Sequence, residues 1–435
     1  MFGTSGIRGP VGEAVTADLA LRVGRALGVE TNRVIVGRDP RESGRLLTDT
    51  LAAGLRETGT HVLDLGLAAT PTVARAVGWH DADAGVSVTA SHNPPTDNGL
   101  KLWQPSGQAF EADGQQRIES RIESGIDSYA SWDTLGNRTQ IDDRPDHCRA
   151  VVNAVDVDEP LNVIVDIGNG AGGVTLDILD ALDCRVRSLN AQPDGGFPGR
   201  PSEPTAENCG DLSSLVGTTD ADLGIAHDGD ADRLQAVASD GTFIPGDVLL
   251  AIFALATTES GDAVAVPVDT SLAVEDALEA VGVDTVRTPV GDVYVASATA
   301  DSQVVFGGEP SGAWIWPDET RCPDGPLAAA KLVELAADRP IKDRADDIDT
   351  YPIRRRSVEA EDKTARMDRI RERIEGSFDS VLTLDGVRVD LGDAWFLVRA
   401  SGTEPVIRVT AEARTSAKAD SVLERALEIV EDAQR

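Results

Sequence analysis

Apolar residues along this chain recur in short β-branched runs, each followed by a Gly/Asp turn and then by leucines returning at helical spacing. The pattern first appears between Val34 and Leu65. It predicts a strand over Val34 to Val36, a helix whose apolar face runs through Leu46, Leu47, Leu51 and Leu55, and a strand over His61 to Leu65. It returns between Val163 and Leu189, with a strand over Val163 to Val165, the turn Gly168-Asn169-Gly170, and a helix through Leu176, Leu179 and Leu182. A third copy starts at Ala263, with a strand over Val264 to Val268, the turn Asp269-Thr270-Ser271, and a helix through Leu272, Val274 and Leu278. Strands alternating with helices of this length predict βαβ units and mixed or parallel sheets. Three such units, roughly 100 to 130 residues apart, predict three related α/β domains.

After Leu335 the pattern changes. Arg354-Arg355-Arg356 and a charged helix from Glu361 to Ile374 introduce short strands at Val381 to Leu384, Val387 to Asp390, Trp395 to Arg399 and Val406 to Ala411, closed by a helix from Ser416 to Ala433. This tail reads as a smaller α+β domain. The stretch Asp127 to Asp146, rich in Asp, Arg, Gly and Ser, separates the first unit from the second, and Gly241 to Gly246 separates the second from the third. The expected division is residues 1–145, 150–243 and 244–345 as α/β domains and 352–435 as the α+β domain.

Composition narrows the partners. With 74 Asp+Glu against 40 Lys+Arg, the formal charge of -34 disfavours nucleic acid and anionic membrane surfaces. An anionic ligand would need a locally basic pocket. Lysine occurs only at Lys101, Lys331, Lys342, Lys363 and Lys418. Such an acid-rich, lysine-poor balance suits a high-salt cytoplasm, where charge repulsion is screened within about 3 Å at 1 M salt. Cys148, Cys184, Cys209 and Cys322 form no C-x-x-C pair and are expected as reduced thiols. Met1 leads straight into a Gly-rich turn without a signal-like apolar region, and no run of eighteen apolar residues occurs, so a soluble cytoplasmic protein is expected.

The candidate chemistry lies in five short stretches. Asp228-Gly229-Asp230-Ala231-Asp232-Arg233 places three carboxylates at alternate positions. An EF-hand loop opens similarly but needs Gly at its sixth position and Glu at its twelfth, where this chain has Arg233 and Ser239. Three close carboxylates without that completion suggest an open divalent-metal site; the competing reading is a solvated acidic turn. Thr89-Ala90-Ser91-His92-Asn93-Pro94 follows an apolar strand, which puts Ser91 at a strand's carboxyl end, where open α/β sheets place their sites. Pro95 to Gly99 is expected as a turn, with Lys101 following. A Ser-His hydrolase is disfavoured, because adjacent residues rarely face each other in a triad and no G-x-S-x-G elbow is present.

Three further loops carry polar groups. The amino-terminal Phe2-Gly3-Thr4-Ser5-Gly6-Ile7-Arg8-Gly9 can bring Arg8 to a phosphate. Gly307-Gly308-Glu309-Pro310-Ser311-Gly312 offers Glu309 and Ser311 at a spacing suited to sugar hydroxyls. Arg399-Ala400-Ser401-Gly402-Thr403-Glu404-Pro405 supplies a guanidinium, hydroxyls and turn amides, the ingredients of an anion clamp. Of the histidines outside these loops, His61, His80, His147 and His227 show no ligand spacing and read as surface or packing residues, and Trp314 and Trp316 read as packing for the sugar loop.

Taken in order, TSGIRG, TASHNP, DGDADR, GEPSG and RASGTEP make the chain closely similar to the α-D-phosphohexomutase family from Phe2 to Arg408. The resemblance implies three related α/β domains with mixed sheets and a smaller C-terminal α+β domain around a central cleft. It further implies that Ser91 is the phosphorylated serine, that Ser91, Asp228, Asp230 and Asp232 hold one Mg2+, and that Lys101 does acid/base work. Arg8, Arg233 and His92 would then lie near the phosphoserine, Glu309 and Ser311 would bind the sugar, and Arg399, Ser401, Gly402 and Thr403 would clamp the non-reacting phosphate. The implied reaction interconverts hexose 6-phosphate and hexose 1-phosphate through a hexose 1,6-bisphosphate, which also primes the enzyme.

Two departures from relatives touch substrate contacts: Ala313 stands where several carry His, and Thr288-Pro289-Val290-Gly291-Asp292 lacks a Lys that some place before the Gly turn. The overall resemblance is to archaeal-type phosphoglucosamine mutases, with phosphomannomutase or phosphoglucomutase as the alternative. A remoter reading is a haloacid-dehalogenase-like phosphatase, in which Asp228 and Asp230 would be nucleophile and acid. A non-catalytic cation-binding or sugar-phosphate-binding protein is the third.

Overall fold

A computed structural model of the chain describes residues 1–3, 6–126, 128–401 and 405–433. These form two compact units, residues 1–249 with 311–345 and residues 250–310 with 346–435. The chain begins with β1 (Ile7–Pro10), α1 (Ala17–Gly28), β2 (Arg33–Arg38), α2 (Gly44–Glu57) and β3 (His61–Leu67). It continues through α3 (Thr70–Trp79), β4 (Ala84–Val88), β5 (Asp97–Trp103), α4 (Ala112–Ser124) and β6 (Arg138–Gln140). The strands make one sheet in the order β1-β5-β4-β2-β3-β6. Strands β4, β2, β3 and β6 run parallel, while at one edge β5 pairs antiparallel with β4 and β1 pairs antiparallel with β5.

The apolar runs of β2 and β4 are buried because helices cover the sheet. Thr16 caps α1 through its hydroxyl, which accepts from Leu19 N–H. Helices α1 and α2 approach unusually closely: a Cβ at Gly24 would sit 2.3 Å from the Leu51 carbonyl oxygen, and one at Gly54 would sit 2.4 Å from that of Leu21. Leu47, Leu51 and Leu55 enter the core, whereas Leu46, expected on the same face, is 57% exposed. At 3.6 residues per turn, Leu46 and Leu47 point about 100° apart, and the sheet takes only one of them. The expected turn from Pro95 to Gly99 is also shorter, since Asp97 already belongs to β5.

Next come α5 (Arg144–Val152), β7 (Asn162–Asp166), α6 (Val174–Ala181), β8 (Arg185–Leu189), α7 (Gly210–Thr218), β9 (Leu223–His227), β10 (Leu234–Ala238) and α8 (Gly246–Thr257). This sheet has the order β10-β9-β7-β8, with β7 parallel to β8 and β9, and β10 antiparallel to β9. The buried face of α6 is Val174, Thr175, Ile178 and Leu179, so Leu176 and Leu182 are only half-buried.

The third α/β stretch holds β11 (Ala263–Pro267), α9 (Leu272–Glu279), β12 (Asp284–Thr288), α10 (Asp292–Ala298), β13 (Val304–Glu309), β14 (Ala313–Ile315), α11 (Gly325–Asp338) and α12 (Ile341–Asp346). β11 pairs in parallel with both β12 and β13. The last stretch holds β15 (Ile353–Glu359), α13 (Lys363–Glu375), β16 (Val381–Leu382), β17 (Val387–Asp390), β18 (Ala394–Ala400), β19 (Val406–Ala413) and α14 (Ser416–Asp432).

Its strands form an antiparallel sheet in the order β15-β19-β18-β17-β16. The Arg354-Arg355-Arg356 run lies within β15, a strand its charge concealed. Within the second unit, buried Glu412 of β19 joins this sheet to α9, accepting from Ser271 Oγ at 2.5 Å, Leu272 N–H at 2.8 Å and Trp395 Nε1 at 2.6 Å. Among the described residues no helix is long and apolar enough to cross a membrane.

Candidate active site

Two parallel strands deliver the reactive loops of the first unit. β4 ends at Val88 and passes into Thr89-Ala90-Ser91, and β9 ends at His227 and passes into Asp228. Both are carboxyl ends, the position at which α/β sheets build sites. Ser91 is held at φ 49°, a left-handed conformation that costs a non-glycine residue about 1–3 kcal/mol and persists only because its surroundings enforce it.

Those surroundings are specific. Ser91 N–H donates to Thr89 Oγ1 at 2.8 Å, and that hydroxyl donates to Asp39 Oδ2 at 2.8 Å. Asp39 pairs at 2.9 Å with Arg41, whose side chain is fully buried. The Arg41 guanidinium donates to the carbonyls of Ser91 at 2.8 Å, Asn93 at 2.7 Å and Asp97 at 2.9 Å. Ser202 Oγ donates to the Ser91 carbonyl at 2.8 Å from the second sheet's side. So fixed, Ser91 Oγ donates to Asp228 Oδ2 at 2.5 Å.

Asp228, Asp230 and Asp232 are all buried, and one carboxylate oxygen from each lies within 4.8 Å of the others. Ala231, at φ 58°, turns the chain so that residues spaced by two can converge. Thr70 donates to Asp230 twice, through its backbone N–H to the carbonyl at 2.8 Å and through its hydroxyl to Oδ2 at 2.6 Å. Lys101 Nζ, on β5, lies 3.1 Å from Asp232 Oδ2, and Arg233 N–H donates to Asp228 Oδ1 at 3.3 Å. Burial, followed by the charges of Asp230 and Asp232, raises the Asp228 carboxyl well above the usual carboxylate range.

Asp230 Oδ1 is buried without a hydrogen-bond partner among the described residues. Three buried carboxylates facing one point, one with an oxygen left over, fit a hard divalent cation, which would let all three ionise.

Cations also act on His92, the serine's neighbour. Burial, then Arg233, Arg8, Arg41 and Lys101 in that order, push the His92 imidazole down to about 2, so it is neutral at physiological pH. Its Nδ1 stands 3.3 Å from Ser91 Oγ. Arg8 lies on β1 opposite Gly99 of β5, with its Nε buried and without a partner among the described residues. Lys101 lies opposite Ser87, its Nζ 4.8 Å from the Trp103 ring centre. The serine hydroxyl therefore sits against a carboxylate cluster and beside a histidine that feels four cationic side chains. This arrangement suits a phosphoryl group, whose negative charge the cations offset.

The first unit thus gathers Ser91, His92, Arg8, Lys101, Asp228, Asp230, Asp232 and Arg233. Ser311 also belongs to it, as an exposed residue between β13 and β14. Trp314 and Trp316 are buried, with Trp314 Nε1 donating to the Leu234 carbonyl at 3.0 Å, as packing residues should.

The remaining candidates belong to the second unit. Glu309 ends β13, and its Oε1 accepts from Gly291 N–H at 2.7 Å. Arg399 lies opposite Arg408 and reaches Asp385 Oδ2 at 2.7 Å. Ser401 is buried, and its carbonyl accepts from Lys363 Nζ at 2.6 Å. Gly402 and Thr403 lie outside the described residues.

Sequence reasoning missed the residues that hold the loops. Arg38-Asp39-Pro40-Arg41 carries a signal, being a charged cluster at the carboxyl end of an apolar strand, the same topological place as Ser91. Thr70 and Ser202 carry none, since their partners lie 160 and 111 residues away. His227, read as surface or packing, is fully buried: Nδ1 donates to the Arg233 carbonyl at 2.8 Å, which leaves Nε2 to accept from Thr175 Oγ1 at 2.9 Å.

The chain matches four models of the phosphoglucomutase/phosphomannomutase family: α/β/α domain I over residues 1–128, domain II over 145–241, domain III over 245–351, and the C-terminal domain over 353–429. It is 44% identical to a probable phosphoglucosamine mutase of Methanopyrus kandleri, covering 99% of this chain and 97% of that one. It is also 44% identical to a probable phosphoglucosamine mutase of Methanosarcina acetivorans, covering 100% and 99%. A phosphoglucomutase/phosphomannomutase family protein of Burkholderia thailandensis superposes with a TM-score of 0.88 at 28% identity, covering 99% of this chain and 98% of that one. The chain belongs to the phosphoglucomutase/phosphomannomutase family, the α-D-phosphohexomutases, of the archaeal type. It is accordingly an isomerase, an intramolecular phosphotransferase acting on sugar phosphates.

Proposed function

We propose that this enzyme interconverts glucosamine 6-phosphate and glucosamine 1-phosphate through a phosphoserine at Ser91 and a hexose 1,6-bisphosphate. The observation that carries this reading is Ser91 Oγ, held on a left-handed turn 2.5 Å from Asp228 and facing the carboxylate triad. Full-length similarity to the archaeal proteins named probable phosphoglucosamine mutase supports the choice of hexose. The phosphatase alternative gives no role to a strained serine bonded to the first aspartate.

In the forward half-reaction the Ser91 Oγ–P bond breaks, a new P–O bond forms to the free sugar hydroxyl, and that hydroxyl's proton passes to a base. Ser91 Oγ regains a proton as the bisphosphate forms. The bisphosphate then turns around and returns its other phosphoryl group to Ser91. Phosphoryl transfer of this kind needs alignment and charge neutralisation more than covalent assistance. Arg41 and Ser202 supply alignment by fixing the Ser91 main chain. Arg8 and Arg233 supply positive charge, and Lys101 is the proton carrier.

A magnesium ion held by Asp228, Asp230, Asp232 and the serine phosphate would neutralise charge on the transferred oxygens. Glu309 and Ser311 are assigned to the sugar hydroxyls, and Arg399, Ser401, Gly402 and Thr403 to the phosphate that is not reacting. The acidic composition suits a cytoplasm of high salt.

A bisphosphate-primed assay on glucosamine 1-phosphate, glucose 1-phosphate and mannose 1-phosphate tests the substrate assignment. The highest kcat/KM is expected on glucosamine 1-phosphate. A preference of tenfold or more for either neutral sugar would overturn the choice of hexose while leaving the chemistry intact.

A further inference from the structure

We infer that Thr70 is a positioning residue for the cation site, fixing which oxygen of Asp230 faces the ion, and that a buried brace of Arg75, Asp324 and His147 holds it there. Thr70 opens α3, and its two bonds to Asp230 grip the main chain and the side chain of the same aspartate. A carboxylate bound in this way has one rotamer. With Oδ2 occupied by the Thr70 hydroxyl, the buried Oδ1 is the oxygen left to a cation.

The helix that carries Thr70 is itself tied down by polar groups that have no part in the chemistry above. Arg75 Nε, one and a half turns along α3, lies 2.7 Å from Asp324 Oδ2. Asp324 Oδ1 accepts from Leu327 N–H at 2.9 Å and so caps α11. His147 of α5 completes the brace, with Nε2 3.1 Å from Asp324 Oδ2 and Nδ1 2.8 Å from Thr72 Oγ1. Arg75, Asp324, His147 and Thr72 are all buried, so each bond stands in a low-dielectric interior, where losing a partner is costly.

The next residue, Gly325, abuts the other side of the metal loop: a Cβ there would lie 2.7 Å from the carbonyl oxygens of Ala231 and Arg233. The loop is therefore clasped between the first turns of α3 and α11, and the Arg75–Asp324 pair sets their spacing. Groups that orient metal ligands in this way change metal affinity by about 10–100-fold when removed.

The inference rests on Asp228, Asp230 and Asp232 being the cation site, and the test separates the two claims. Mn2+ binding to the full-length protein is measured by titration calorimetry, alongside the Mg2+ dependence of turnover, for wild type, Thr70→Val, Thr70→Ser, Arg75→Met and Asp232→Asn. Thr70→Val is expected to bind Mn2+ about tenfold or more weakly, with turnover lost at low Mg2+ recovered as Mg2+ is raised. Thr70→Ser, which keeps the hydroxyl, should restore binding to within about threefold, and Arg75→Met should weaken it by about threefold or more.

Thr70→Ala, which adds no atoms, takes the place of Thr70→Val if the valine variant does not fold. Wild-type Mn2+ affinity in Thr70→Val, or equal losses in Thr70→Val and Thr70→Ser, would overturn the role of Thr70. Wild-type affinity in Arg75→Met would overturn the brace. Unchanged binding in Asp232→Asn would instead overturn the cation site itself.

Discussion

Arg41 binds four carbonyls between Ser91 and Asp97, and it does so with a planar fork that lysine cannot reproduce. Its work is geometric, because displacing a nucleophile by about 1 Å can cost about 10²-fold in rate. Arg41→Lys should therefore lower kcat by about 10²-fold, in a steady-state assay, while near-ultraviolet circular dichroism shows an intact fold. His227 offers a second residue-scale prediction. Burial pushes its imidazole down to about 4, against an ordinary value of 6.5, so the native state resists protonation that the unfolded chain accepts. Stability from this group is full above pH 6.5 and is lost as pH falls through about 4, a loss of roughly 3 kcal/mol at most. In His227→Asn, denaturant titrations between pH 7 and 4 should show a shallower loss, by up to one proton. At this scale the proposed reacting groups were legible, because their residue types suggest a chemistry, and Arg41 left a charged cluster as its signal, whereas Thr70 and Ser202 were concealed because they act through hydrogen bonds closed only by folding.

At the scale of elements, the alternation of strand and helix was legible because β2, β4, β7, β9 and β11 are buried and nearly continuous in apolar residues. What misled was orientation and charge. Leu46 and Leu176 shared a helix with core leucines but not their face, and the arginines of β15 disguised a strand paired along its length with β19. Close approaches were equally invisible. The first residue of α11 is a glycine because the carbonyls of Ala231 and Arg233, in the loop of the three aspartates, occupy the space a side chain would need. Gly325→Ala should force these backbones apart, cost about 1–3 kcal/mol in chemical denaturation, and raise the Mg2+ concentration for half-maximal turnover. A fully wild-type Mg2+ response in this variant would show that α11 does not set the loop's position.

For the whole molecule the dominant property is a formal charge of -34 on 435 residues, which destabilises any compact state through self-repulsion. Screening relieves it, as the Debye length falls from about 10 Å at 0.1 M to about 3 Å at 1 M. The melting temperature should therefore rise steadily as KCl is raised from 0.1 to about 2 M; a flat or falling curve would remove the high-salt reading. That global charge also gives the active site its contrast, since Arg8, Arg41, Arg233 and Lys101 all act on His92, the neighbour of Ser91, in an otherwise acidic chain. The central claim is that the phosphoryl group passes through that serine. The most direct measurement is to load the enzyme with hexose 1,6-bisphosphate labelled in its phosphates, map the labelled peptide, and chase with unlabelled hexose monophosphate. The account predicts acid-stable label on Ser91, released into bisphosphate by the chase and absent in Ser91→Ala; acid-labile label on Asp228, or undiminished turnover by Ser91→Ala, would contradict it.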